Sequence, residues 1–274
     1  MKKQLLIAAV AATMTMATTA DVSITGSAAF KTTDGVYSHE ADLVVSGTSG
    51  DTSVTMNISL DGTFEIEDLY LKTSIAGVDL KMGQWEGSSS ELGASSAASE
   101  KLVVSTSFGG ISIAYKDTNG ANSTTIGGEF GGITVSHEIN QDSSTETTAS
   151  GSMGGVNVDV HTTEAAGKTN TAFTLSTEIQ GATLTYVQID ADANMDSDGY
   201  VGEFSLTAGQ SAKAIGISTA YNGNTIGLKA ITIAGADSTE LSISRDLGNG
   251  TMLDVTYTDT ATDEVLEVEL SVAF

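Results

Sequence analysis

Apolar and polar residues alternate with a period of two through stretch after stretch of this chain. The apolar series runs Val22, Ile24; Val54, Met56, Ile58, Leu60; Val78, Leu80, Met82; and Ile111, Ile113, Tyr115. It resumes in Val156, Val158, Val160 and ends in Leu266, Val268, Leu270, Val272, Phe274. Asp79 and Lys81, Asn157 and Asp159, and Glu267 and Glu269 stand between. Side chains of a strand point alternately to its two faces, so this pattern describes strands with one apolar and one polar face. No segment beyond residue 20 carries a helical repeat of any length, and the expected class is all-β.

The punctuation between these strands falls into two kinds. One is tight: Ser49-Gly50-Asp51, Ala76-Gly77, Gly109-Gly110, Gly131-Gly132, Gly154-Gly155, Gln180-Gly181, Asn222-Gly223-Asn224 and Leu247-Gly248-Asn249-Gly250. Gly and Asn supply the positive φ that short hairpin turns demand. The other kind is longer and acidic or rich in Ser and Thr: Gln141 to Thr145, Glu164 to Lys168, and Asp190 to about Ala212. Short turns at one end and longer loops at the other is the layout of a transmembrane antiparallel β-barrel. The alternating segments number about eighteen, or sixteen if Thr145 to Val160 does not pair, counting roughly 9–11 residues per spanning strand. Tyr200 to Ala208 is read as part of a long loop. A single barrel accounts for residues 21–274.

Residues 1–20 read as a secretory signal peptide. Lys2 and Lys3 precede the short apolar run Leu5 to Val10, and small residues lead to a cleavage site after Ala20. The chain carries 11 basic and 35 acidic residues and no Cys. Such an acidic chain lacks the Lys and Arg clusters that neutralise phosphates, which excludes a nucleic-acid partner. Without thiols there is neither a disulfide framework nor cysteine chemistry.

A soluble β-sandwich also alternates, but it fills its core with large residues. Here the apolar face is thin, while the opposite face carries charge in nearly every strand. Lipid outside and water inside fits that division. The aromatic residues support it. Phe108, Phe130, Tyr221 and Phe274 stand at the tight turns or the last position, and Phe30, Tyr37, Tyr115 and Tyr257 flank the other ends. Rings gather so at membrane interfaces. Closure also removes the exposed edges that would make long strands aggregate. A β-solenoid is the remaining rival, and no fixed short repeat is present.

Face parity makes a candidate site. If Leu69, Leu71, Leu80 and Met82 face lipid, Lys72 and Lys81 face the lumen. Leu102, Val104, Ile111 and Ile113 likewise place Lys101 and Lys116 inside. Most remaining lumen charges are acidic: Glu40, Asp42, Asp79, Glu129, Glu138, Asp159, Glu178, Asp254, Glu267 and Glu269. A carboxylate-rich lumen concentrates cations, so weak cation selectivity is expected.

The chain also resembles the Gram-negative general porins. Asp21-Val22-Ser23-Ile24-Thr25-Gly26 is similar to their opening strand, and Asp68 to Gln84 is similar to the hairpin leading into their constriction loop. Asp246-Leu247-Gly248-Asn249-Gly250-Thr251 matches a frequent late turn, and the terminal Phe274 resembles their assembly signal. The resemblance implies an outer-membrane location, a homotrimer and passive diffusion of small hydrophilic solutes and cations. It also implies that the loop 85–100, with Glu86 and Glu91, folds inward opposite the lysines to narrow the pore. Two departures stand out: the chain is short for those proteins, and it has a single arginine, Arg245, where they carry an arginine-rich cluster. A non-conducting outer-membrane barrel serving as an adhesin or receptor surface is the alternative reading, and a soluble extracellular β-protein a third.

Other motifs point less far. Asp190, Asp192, Asn194, Asp196 and Asp198 before Gly199 resemble a calcium loop, and could hold Ca2+ or Mg2+ on an acidic external loop. The twelfth position from Asn194 is Ser205 and not the Glu that an EF-hand requires. His39, His137 and His161 have no metal-ligand spacing, and no catalytic constellation stands out, so no enzymatic activity is expected.

Overall fold

The computed structural model describes residues 21–60 and 64–274; the signal-peptide expectation for 1–20 lies outside them. Strands follow one another as β1 (Asp21–Thr33), β2 (Val36–Ser49), β3 (Thr52–Ser59), β4 (Glu65–Ile75), β5 (Val78–Gly87), β6 (Ser96–Phe108), β7 (Ile111–Thr118), β8 (Ala121–Phe130), β9 (Ile133–Asn140) and β10 (Thr145–Met153). They continue as β11 (Val156–Ala165), β12 (Lys168–Ile179), β13 (Ala182–Ala191), β14 (Met195–Gly199), β15 (Gly202–Leu206), β16 (Gln210–Tyr221), β17 (Asn224–Ile233), β18 (Ala236–Gly248), β19 (Thr251–Thr260) and β20 (Glu264–Ala273). Eighteen of them pair antiparallel, each with the next along the chain except that β13 pairs with β16, and β1 pairs with β20 to close the ring. The remaining two, β14 and β15, pair only with each other.

The register shows an inner face that is polar around most of the ring. Lys72 pairs with Lys81, Val103 with Lys116, Thr125 with Glu138, and Ser150 with Asp159, the series returning through Asp254 and Glu269 to Lys31. The opposite face presents Val22, Ile24, Ile75, Met82, Ile113, Ile126, Ile215, Leu228, Ile243 and Leu270, all exposed. An apolar belt of that extent does not face water in a soluble protein. It is the lipid-facing surface of a membrane barrel, and the polar face is its lumen.

Eight connections at one end are two-residue turns, among them 50–51, 109–110 and 180–181, and they are the eight tight turns read from the sequence. At Asn222-Gly223 both residues have positive φ (50° and 77°), the geometry that matches the strand twist. The other end is less different than expected, since 34–35, 119–120, 166–167 and 234–235 are also two-residue turns. Only 88–95 and 192–209 are long there among the described connections.

Two sequence-based boundaries are corrected. The loop expected at 85–100 is shorter: Trp85 to Gly87 extend β5 and Ser96 to Glu100 begin β6. The expected loop from Asp190 to Ala212 contains the β14–β15 hairpin, so Tyr200 to Ala208 is half strand, although not barrel wall. The stretch from Thr145 to Val160 pairs fully as β10 and β11.

Candidate functional site

The alternation inverts near the upper ends of β13 and β16. Along β13, Leu184 and Tyr186 face lipid, but beyond them Gln188 and Asp190 occupy the outer face and are exposed. Val187, Ile189 and Ala191 turn inward and are buried. Lys213 on β16 is likewise outside, with Ala212 and Ala214 buried inside. A wall that is apolar on its lumen face needs a cover. The hairpin supplies it, packing Met195, Val201 and Leu206 against Ala172, Val187, Ile189, Ala212, Ala214 and Ile231. Each fully buried aliphatic side chain contributes about 1.5–3 kcal/mol. The hairpin therefore folds back into the barrel and is held to the inner wall by a small hydrophobic core.

Leu92, from the loop 88–95, belongs to that same cluster. That loop is rooted between β5 and β6, the hairpin between β13 and β16. Eight strands separate the roots one way round the ring and ten the other. The two segments can meet only across the interior. An eighteen-strand barrel is roughly 35 Å across between backbones, given about 4.8 Å strand spacing and the usual tilt.

Where they meet, the Tyr200 backbone N–H donates to Glu91 Oε1 at 2.7 Å, and Asp198 N lies 3.4 Å from Ser90 O. Small residues permit this. A Cβ on Gly199 would run into the Glu91 carboxylate, and one on Gly216 into the Tyr200 hydroxyl. Lys229 Nζ donates to the Tyr200 carbonyl at 3.2 Å and pairs with Glu240 at 3.2 Å. Burial pushes the Glu91 carboxyl above its ordinary range, against the hydrogen bond from Tyr200 that favours its charge. Burial also raises the Tyr200 phenol.

The four lysines singled out in the sequence share the lumen face and fall into two groups. Lys72, Lys81 and Lys101 surround two rings that lie edge to face, Tyr70 and Trp85, with centroids 6.0 Å apart. Lys81 Nζ sits 4.0 Å from both centroids, Lys72 5.2 Å from Tyr70, and Lys101 5.3 Å from Trp85. Lys101 also donates to the Trp85 carbonyl at 2.8 Å. The ring faces hold the ammonium groups by cation–π attraction, about 0.5–2 kcal/mol each. Lys116 stands apart and pairs with Glu138 at 3.0 Å. Glu86 lines the same cavity as Lys81, Lys101 and Lys116, about 720 Å³ in volume and bounded by the loop 88–95. Glu91 does not oppose these lysines; it is taken up by Tyr200.

Sequence reading missed Tyr70, Trp85, Tyr200, Lys229 and His161 as site residues. His161 is buried in the lumen wall, its Nε2 2.9 Å from Glu146 Oε1 but without the alignment of a hydrogen bond. The loss of parity at Val187 was the available signal for a covering segment. The candidate cation-binding run is spread over two elements. Asp190 accepts from Gln188 on the outside of β13, Asn194 Oδ1 accepts from Ala208 N, and Asp196 accepts from Ser205. Among the described residues no three His, Cys, Asp or Glu side chains converge as metal ligands would.

No family model and no curated protein matches the sequence. Solved structures do. OccD3 (OpdP) of Pseudomonas aeruginosa aligns with 94% of this chain and 91% of its own at 12% identity and a TM-score of 0.66. A BenF-like porin from Pseudomonas fluorescens Pf-5 aligns with 93% of this chain and 98% of its own at 11% identity and a TM-score of 0.64. OccK3 (OpdO) of P. aeruginosa gives 93%, 95%, 10% and 0.65. The chain thus has the closed eighteen-strand fold of bacterial outer-membrane porins.

Proposed function

We propose that this protein is an outer-membrane porin, a water-filled channel for passive diffusion of small hydrophilic solutes and ions, weakly selective for cations. The observation that carries this reading is the charged inner face of the ring, interrupted only where the hairpin covers its apolar patch, on which acids predominate. Glu40, Asp42, Asp79, Glu129, Glu138, Asp159, Glu178, Asp254, Glu267 and Glu269 all share it by register. Carboxylates along an aqueous path raise the local cation concentration and repel anions. Lys72, Lys81, Lys101 and Lys116 with Glu86 form a mixed-charge narrow zone beneath the loop 88–95, where a transverse field sorts solutes. The two-residue turns at much of the loop end leave little surface for an adhesin, which favours the channel over that alternative. The homotrimer implied by resemblance goes with this reading, and crosslinking of the purified barrel tests it.

Purified protein in a planar bilayer separating two salt concentrations tests the whole reading. Stepwise conductance with a reversal potential of cationic sign is expected. A barrel that never conducts refutes the channel, and an anionic reversal potential refutes the selectivity.

A further inference from the structure

The contact between Glu91 and Tyr200 has a consequence for the water path, and it rests on the channel reading. Its roots divide the ring unequally, with β6 to β13 on one side and β16 to β20 together with β1 to β5 on the other. The two sides differ in charge. On the first, Lys81, Lys101 and Lys116 face Glu86, Glu138 and Glu146 around the cavity of about 720 Å³, three cations against three anions with His161 in the wall. Glu129, Asp159 and Glu178 share that wall in the half toward the tight turns. On the second, Glu40, Asp42, Glu240, Asp254, Glu267 and Glu269 share the lumen face by register. Of the lysines there, Lys31 pairs with Glu267 at 2.8 Å and Lys229 with Glu240 at 3.2 Å. Lys72 and Lys81 lie against the Tyr70 and Trp85 rings at the edge of the balanced cavity, so the acids of this side outnumber its cations.

We propose that Glu91 and Tyr200 join the loop 88–95 and the β14–β15 hairpin into a strut that splits the lumen into two parallel passages, one charge-balanced and one acidic. Three observations support a fixed strut and not a chance touch of two loops. The hairpin is anchored by a buried core to which Leu92 also belongs. The hydrogen bond between the two segments is short, and both glycines that make room for it are in place. Tyr200 is held from below by Lys229. Solutes then meet two filters at one depth. Cations favour the acidic passage, and zwitterions or solutes bearing both charges find paired partners in the balanced one.

The chain contains no cysteine, so single thiols can be placed in each passage. Thr163 lines the balanced cavity, and Thr258 pairs with Glu240 on the acidic side. Thr163→Cys and Thr258→Cys would each be reconstituted in a bilayer, and current and reversal potential recorded before and after a bulky uncharged methanethiosulfonate. Each modification should remove roughly half of the current. Blocking at 163 should raise the cation preference, and blocking at 258 should lower it. The double variant should lose the sum. Loss of nearly all current from either single modification, or shifts of the same sign, overturns the split while leaving the channel reading intact. Absence of current before labelling overturns the channel reading itself. Thr148→Cys and Thr256→Cys, also on the lumen face, provide a second pair should either first variant fail to fold.

Discussion

Phe274 lays its ring over Gly26 on the outside of the seam where β20 meets β1. The two backbones exchange hydrogen bonds of 2.8 and 2.9 Å, and a Cβ at Gly26 would sit 2.7 Å from the ring edge. The terminal aromatic therefore covers the position where the first strand offers lipid no side chain of its own.

Gly26→Val should force that ring away and press on the Asp42 carbonyl, 2.8 Å from the same position, at a cost of about 1–3 kcal/mol, the usual range for overpacking. Phe274→Ala should keep the backbone pair and lose only the cover. Heat-modified mobility on gels reads both. The valine variant should unfold at the lower temperature of the two, and equal behaviour would show that the ring and the glycine are not coupled.

The barrel was readable because its physics is local. Each strand must present apolar groups to lipid, so parity alone orients Val22 and Ile24, Leu80 and Met82, or Val158 and Val160. The eight tight turns were readable because positive φ calls for Gly or Asn. What alternation cannot convey is a segment that folds back inside. Met195 to Leu206 is too short and too acidic to read as a spanning pair, and its apolar partners Val187 and Ile189 look like a slip of parity. The meeting of Glu91 with Tyr200, 109 residues apart, leaves no trace in either local sequence.

Leu206 is 1% exposed at the centre of the hairpin's contact with the wall. Leu206→Ala should weaken docking by about 2–5 kcal/mol through the lost side chain and the cavity left behind. Since β14 and β15 make no ladder with the barrel, its thermal unfolding should hardly move. Limited proteolysis should instead begin to cut within 192–209, and single-channel current should grow larger and noisier. A lowered barrel melting point with an uncut hairpin would contradict this.

Glu91 gives the strut a pH dependence whose sign is fixed. Burial raises its carboxyl above the ordinary 4.5, so the folded contact favours the protonated form. The stability it contributes is fully present below that ordinary value and is lost as pH rises through the higher folded one. The hairpin should therefore resist protease better in mild acid than near neutrality. Glu91→Gln keeps an oxygen to accept from Tyr200 and removes the titration, and protection in this variant should be the same at both pH values. A dependence that survives Glu91→Gln would show that Glu91 is not its source.

The lysines differ in what their removal exposes. Lys116→Ala removes one cation and leaves the Glu138 carboxylate that it pairs at 3.0 Å as a net anion on the lumen wall. Lys72→Ala removes a cation that touches a ring and, among the described residues, has no carboxylate at salt-bridge distance. Both should shift the reversal potential toward stronger cation preference. Arg245 pairs with Leu253 on the lipid face near the tight turns, outside the water path. Arg245→Ala removes the same formal charge and should leave the reversal potential where it was. Equal shifts from all three substitutions would mean that selectivity follows total charge and not the face on which a residue stands.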